Sequence, residues 1–206
     1  MPTRSALIRG FIAIELGEPA RRAVREHLDA LRAAMSGVAW TRPDNLHLTL
    51  KFLGDAEPTR LEAVAKRMLD LSRGQAPFPM IVAGVGAFPS VARPRVLWVG
   101  VAAPALAGLA VAVDRACAEE GFPPEARAFH PHVTLGRVRQ PSARSGSRGR
   151  GRASERVDAG AITACLARDG GREFGACRAE AIVLFRSDLH PDGARYTSLR
   201  VAPFTG

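Results

Sequence analysis

His47-Leu48-Thr49-Leu50 and His132-Val133-Thr134-Leu135 share one pattern, His-apolar-Thr-apolar. In a β-strand successive side chains alternate between faces. Each tetrad therefore sends His and Thr to one side and two apolar residues to the other. The apolar side belongs in a core. The other side presents an imidazole and a hydroxyl, and it does so twice. The chain has five histidines in 206 residues, for which random order predicts only roughly 0.2 His-x-Thr triplets. Two imidazoles facing each other can act as general acid and general base, and two hydroxyls can hydrogen-bond the group under attack.

The sequence around the tetrads repeats as well. His47 and His132 are 85 residues apart. Ile12-Ala-Ile-Glu-Leu16 leads to Pro19, and Leu97-Trp-Val-Gly-Val101 leads to Pro104, again at an offset of 85. Each proline opens a helical stretch, about 20–35 and 105–120, which runs through a loop to its tetrad. Repeated strand, helix, loop and strand point to an internal duplication with one tetrad in each half, approximately 1–90 and 91–206. A third pair, Ile81 to Phe88 and Ile182 to Leu189, is offset by 101. The excess of 16 places an insertion between the second tetrad and that strand.

Composition locates the insertion. Net charge is +9, and the segment from Arg137 to Arg156 carries seven arginines against one acid, Glu155. Its centre, Ser142 to Ser154, holds no apolar residue larger than alanine, so it cannot contribute to a core. Residues 140–154 are expected to form a mobile basic arm. Either it is a tolerated insertion, or it neutralises phosphates of a polyanion through its arginines.

The remaining numbers describe an ordinary globular chain. It is 47% hydrophobic and 24% charged, with the length of a single domain built from two lobes. No apolar run reaches a membrane span. Arg9 interrupts the place where a signal peptide needs its apolar stretch, which predicts a cytoplasmic protein. Cys117, Cys165 and Cys177 are odd in number and lack C-x-x-C spacing, and are expected to be reduced and structural.

Periodicity predicts strands near 7–16, 46–53, 78–88, 95–101, 132–138, 178–187 and 195–203. It predicts helices near 20–35, 57–72, 105–120 and 155–167. Short helices between mostly antiparallel strands make this an α+β fold: two similar lobes related by a pseudo-two-fold duplication about a central cleft, in one bilobal domain spanning 1–206.

These residues resemble the 2H phosphoesterase superfamily, and within it the RNA 2′,3′-cyclic phosphodiesterase family, also called the 2′-5′ RNA ligase family. The resemblance is carried by Trp40-Thr-Arg-Pro-Asp-Asn-Leu-His-Leu-Thr-Leu-Lys-Phe-Leu-Gly54 and Pro131-His-Val-Thr-Leu-Gly-Arg137. Arg9-Gly-Phe-Ile-Ala13 and Gly193-Ala-Arg-Tyr-Thr197 support it. It spans nearly the whole chain apart from the basic arm, which is longer than the pattern needs. The resemblance implies hydrolysis of RNA 2′,3′-cyclic phosphate ends to 2′-phosphomonoesters, with 2′-5′ ligation as the reverse. It further implies His47 as proton donor to the 3′ oxygen and His132 as proton acceptor from water. No cofactor, metal, membrane or protein partner is implied.

The residue chemistry is consistent with that role. Histidine exists in both protonation states near neutrality, and hydroxyls of Thr49 and Thr134 can donate to phosphoryl oxygens without a metal. Arg137, five residues past His132, is a candidate phosphate clamp. Lys51 is either a phosphate contact or a solvated strand residue. Phe11 and Trp40 are candidates to stack a base, with core packing as the alternative. Tyr196 is a candidate to line the cleft. His27 lies in a charged helix and is expected to be exposed, and His190 falls in a loop with no expected role. Two rival functions remain. One is a metal-dependent phosphohydrolase using His130-Pro-His132 as an H-x-H ligand pair, although no acidic or cysteine cluster accompanies it. The other is a non-catalytic module that binds RNA ends.

Overall fold

A computed structural model describes residues 6–139 and 159–206. The basic arm and the start of the helix expected at 155–167 lie outside them. The chain runs β1 (Ile8–Glu15), α1 (Ala20–Ala34), β2 (Val38–Trp40), a 3-10 turn (Pro43–Asn45), β3 (His47–Ala56), α2 (Pro58–Arg73), β4 (Phe78–Phe88) and β5 (Val96–Ala102). It continues with α3 (Ala105–Glu119), β6 (His132–Val138), α4 (Ala159–Asp169), β7 (Glu173–Ala179), β8 (Ala181–Asp188) and β9 (Arg195–Pro203). The expected α+β fold is present. One strand expected at 178–187 is instead two, β7 and β8, broken at Glu180. β2 is too short for its periodicity to stand out.

The described strands form one antiparallel sheet in the order β7-β4-β5-β6-β3-β1-β8-β9, with β2 pairing β6. The order is symmetric about its middle, where the two tetrad strands, β6 and β3, meet at the pair Leu48 and Val133. Reading outward, β5 corresponds to β1 and β4 to β8, the same pairs that the sequence offsets match.

The sequence halves are interleaved in space. β4 comes from the first half but pairs β5 and β7 of the second, while β8 pairs β1 of the first. The helices follow suit: α1 packs on β7 and β2, α4 on β4, α2 on β8 and β9, and α3 on β3. Neither half of the chain closes its own sheet, so the lobes cannot separate without breaking strand pairing.

The core lies between the sheet and the helices. Leu48, Val133 and Leu135 are fully buried there and Leu50 nearly so, each stabilising the fold by roughly 1.5–3 kcal/mol. The apolar half of each tetrad thus anchors its strand, and the polar half faces the opposite, cleft side. On that side lies a second apolar cluster, Phe11, Ala13, Val183 and Phe185, with Tyr196 packed against it.

Two expectations about charged or polar residues are corrected here. His27 is 2% exposed, because the same face of α1 that buries Val24, Leu28 and Leu31 carries it inward. Lys51 is neither solvated nor free for a ligand. It is 3% exposed, pairs with Asp114 of α3 and also donates to the Pro123 carbonyl.

Candidate active site

Each tetrad strand contains a β-bulge at the same place. In the β1–β3 register Ile12 pairs Lys51 but Ala13 pairs Thr49, leaving Leu50 extra. In the β5–β6 register Leu97 pairs Gly136 but Trp98 pairs Thr134, leaving Leu135 extra. One extra residue reverses the facing of everything after it. That reversal buries Lys51 and turns Phe52 outward, to 62% exposure. In β6 it exposes Arg137 while keeping Val138 in the core. Arg137 consequently shares the side of His132 and Thr134, although strict alternation would have put it on the core side. Phe52 holds the equivalent place in β3, five residues beyond its own histidine.

Both imidazoles are held by the same device. His47 Nδ1 lies 2.7 Å from the Asn45 carbonyl, and His132 Nδ1 lies 2.6 Å from the His130 carbonyl. A carbonyl can only accept, so Nδ1 carries the proton in both rings. Nε2 is then the nitrogen left to accept a proton on each side. In the first tetrad it lies 3.0 Å from Thr49 Oγ1. Asn45 is fixed in turn by donation from its Nδ2 to the Ala194 carbonyl at 2.7 Å, which ties the first tetrad to the turn before β9.

Aromatic rings back both histidines. The Phe11 ring centroid is 4.8 Å from that of His47, and Tyr196 meets His47 edge-on at 5.3 Å. Phe88 meets His132 edge-on at 5.0 Å, and Trp98 lies behind at 6.4 Å. Phe11 is 3% exposed: it occupies the floor beneath His47. Trp40 packs against the core. Trp98 lies so close over Gly86 that a Cβ there would come within 2.2 Å of the indole.

This setting depresses the imidazole pKa values. Burial pushes His47 down to about 4, with the nearby charge of His132 adding to the effect against the Asn45 carbonyl. Burial also lowers His132, assisted by His130 and Arg137 and opposed by the His130 carbonyl. Burial raises the Tyr196 phenol while Arg137 and Arg9 pull it down, so both arginines lie near this cleft. In the free protein both imidazoles favour the neutral form. An anion between them would favour the charged form of either.

A cavity of about 650 Å³ opens beside His132 and Thr49. Phe52, Phe88 and Phe129 give it flat apolar walls, and Arg95 and Arg127 give it positive charge. Phe52 comes from the block around the first tetrad, whereas Phe88 and Phe129 come from stretches with no motif of their own. Sequence reading passed over Phe88 and Phe129, and it also passed over Asn45 and Trp98, which hold or back the histidines without lining the cavity. The only available signal for Asn45, Phe88 and Trp98 was their position near a tetrad or its repeat. His130 joins the site through its carbonyl and its ring, 6.1 Å from that of His132. His190 lies in an exposed turn.

A single curved sheet with duplicated His-x-Thr strands at its centre, and imidazoles oriented alike by backbone carbonyls, defines a two-histidine phosphoesterase class. The chain belongs to the LigT-like phosphoesterase family, whose model matches it twice, at residues 15–98 and 99–196. It is 34% identical over 195 residues to an RNA 2′,3′-cyclic phosphodiesterase of Methanothermobacter thermautotrophicus, covering 94% of this chain and 97% of that one. It is 31% identical over 195 residues to the protein of the same name from Archaeoglobus fulgidus, covering 94% and 99%. Among solved structures, a Thermus thermophilus protein superposes with TM-score 0.75 at 28% identity, covering 97% of this chain and 99% of that one. Escherichia coli LigT complexed with 3′-AMP superposes with TM-score 0.69 at 26% identity, covering 97% and 99%. Among the described residues no helix is long and apolar enough to cross a membrane.

Proposed function

We propose that the protein hydrolyses RNA 2′,3′-cyclic phosphate ends to 2′-phosphomonoesters by metal-independent acid–base catalysis. The observation that carries this is the matched pair of imidazoles, each with Nδ1–H donated to the carbonyl two residues upstream. His132 Nε2 takes a proton from water as the water oxygen bonds to phosphorus. His47 Nε2 gives a proton to the departing 3′ oxygen as the phosphorus–oxygen bond breaks. Each transfer contributes about 10²–10⁴ in rate. Thr49, Thr134 and the Arg137 guanidinium stabilise the charge gathering on the phosphoryl oxygens. The cavity walled by Phe52, Phe88 and Phe129 receives the nucleoside that carries the cyclic phosphate. With a 5′-hydroxyl attacking in place of water, the same site forms a 2′-5′ linkage.

The test is turnover of a dinucleotide ending in a 2′,3′-cyclic phosphate, with the product read by phosphorus NMR and EDTA present throughout. Conversion to a 2′-phosphate supports the assignment. A 3′-phosphate product would reverse the roles of the two histidines. Binding without turnover would make the protein an RNA-end binding module.

A further inference from the structure

Away from the cleft, on the helix-covered side of the sheet, three side chains of metal-binding type converge. His27 comes from α1, and Cys165 and Asp169 come from α4. Cys165 and Asp169 are one helical turn apart and share a face. All three are buried, at 2%, 5% and 4% exposure. The atoms His27 Nε2, Cys165 Sγ and one Asp169 carboxylate oxygen all lie within 4.8 Å of one another. His27 Nε2 is 3.7 Å from Asp169 Oδ2, and Cys165 Sγ is 3.5 Å from it.

His27 Nε2 is buried with no hydrogen-bond partner. A buried polar atom left unpaired costs about 1–3 kcal/mol, so its position calls for an occupant. Phe174 packs on the imidazole with ring centroids 5.1 Å apart and holds the ring in place. Asp169 is oriented from outside by Arg168, whose Nε and Nη2 donate to its two oxygens at 2.9 and 2.6 Å. Oδ1 keeps a second lone pair, while Oδ2 also accepts from the Cys165 thiol, a bond that gives way when the thiol loses its proton.

We propose that His27, Cys165 and Asp169 bind one zinc ion, which ties α1 to α4. Imidazole, thiolate and carboxylate together form the borderline ligand set zinc prefers. Ligand distances of roughly 2.0–2.3 Å put tetrahedral donors about 3.3–3.8 Å apart, and two of the three separations already fall in that range. Thiolate and carboxylate offset the charge of the dication, the carboxylate sharing its own with the Arg168 guanidinium. Binding releases the thiol proton to solvent, and three protein donors leave a fourth position for water. The neutral imidazole that burial favours at His27 is the form that ligates. The ion would fasten α4, which follows the insertion, against the first helix of the chain. This site takes no part in phosphoester hydrolysis.

The test uses the purified full-length protein, first stripped by chelator and then titrated with zinc against a chromophoric competitor. A parallel titration uses cobalt. Uptake of one zinc per chain, a thiolate-to-cobalt charge-transfer band and a zinc-dependent rise in Tm are expected. Cys165→Ser and His27→Gln should each lose the band and the bound zinc, while cyclic-phosphate turnover by Cys165→Ser stays at the wild-type level. The wild-type spectrum decides the matter even where a variant fails to fold. Absence of the cobalt band in the wild type, or its persistence in Cys165→Ser, would overturn the proposal.

Discussion

At the residue scale, His47 sets the pH behaviour. Its pKa in the free, folded protein is near 4, against 6.5 for an ordinary histidine. The folded state therefore takes up its proton later than the unfolded state does. That contribution to stability is fully present above pH 6.5 and is lost as pH falls toward 4. Urea midpoints measured across that window should fall less steeply for His47→Gln than for the wild type, and parallel curves would refute the depressed pKa. Ligand binding has the opposite sign. A phosphate dianion beside His47 favours the imidazolium, so a 2′-nucleotide raises this pKa above about 4, and proton uptake at His47 then accompanies its binding. Proton NMR of the His47 ring with and without 2′-AMP reads this directly. A titration midpoint unmoved by the nucleotide would contradict it.

At the element scale, the bulges decide which residues face the cleft. Lys51 shows the cost of the arrangement. The bulge at Leu50 drives its ammonium into the core, where Asp114 and one carbonyl receive it. Asp114→Ala leaves a buried, nearly unpaired charge and should cost roughly 3 kcal/mol. That is the low end of the range for breaking a buried pair, since Asp114 keeps 26% side-chain exposure. Lys51→Met combined with Asp114→Leu should recover most of the loss in a denaturant titration; a double variant less stable than Asp114→Ala would argue against this reading. Gly86 lies on β4, across from Trp98 in the β4–β5 register. Gly86→Ala would push the indole toward His132 and His130, so kcat/KM should drop several-fold with no change to any group in the cleft. Wild-type kinetics for that variant would mean that the Trp98 backing does not position His132.

The tetrads, their repeat and the α+β class were legible because polar–apolar alternation and fixed offsets are local properties of a sequence. The bulges left no such mark. Leu50 and Leu135 look like any strand leucine, and a single unpaired residue turned Lys51 inward and Arg137 toward the cleft. The burial of His27 was missed because charged neighbours on α1 hid its place on the apolar stripe. The cavity walls at Phe88 and Phe129 depend on which strand end and which loop meet, and that is settled by long-range strand pairing.

At the scale of the whole molecule, interleaving makes the two tetrads one unit. Each half supplies β-strands and helices that complete the other's side of the sheet, so the spacing between the imidazoles is held by the entire sheet. Charge is distributed unevenly about this frame. The segment from Arg137 to Arg156 carries +6 of the +9 net charge. Each single-strand phosphate neutralised contributes about −0.7 to the salt slope of log K. Deleting Ser142 to Ser154 should therefore flatten the salt dependence of KM on a long oligonucleotide and leave kcat on a cyclic mononucleotide unchanged. Equal salt slopes would identify the segment as a tolerated insertion.

Single-turnover hydrolysis of a 2′,3′-cyclic-phosphate dinucleotide by the wild type, His47→Ala and His132→Ala, across pH, tests the two-histidine mechanism most directly. An acid and a base working together predict a bell-shaped wild-type profile. Each variant should lose about 10²–10⁴ in rate and one limb of the bell, with its circular dichroism unchanged. A variant lacking either imidazole that still turns over near the wild-type rate would contradict it.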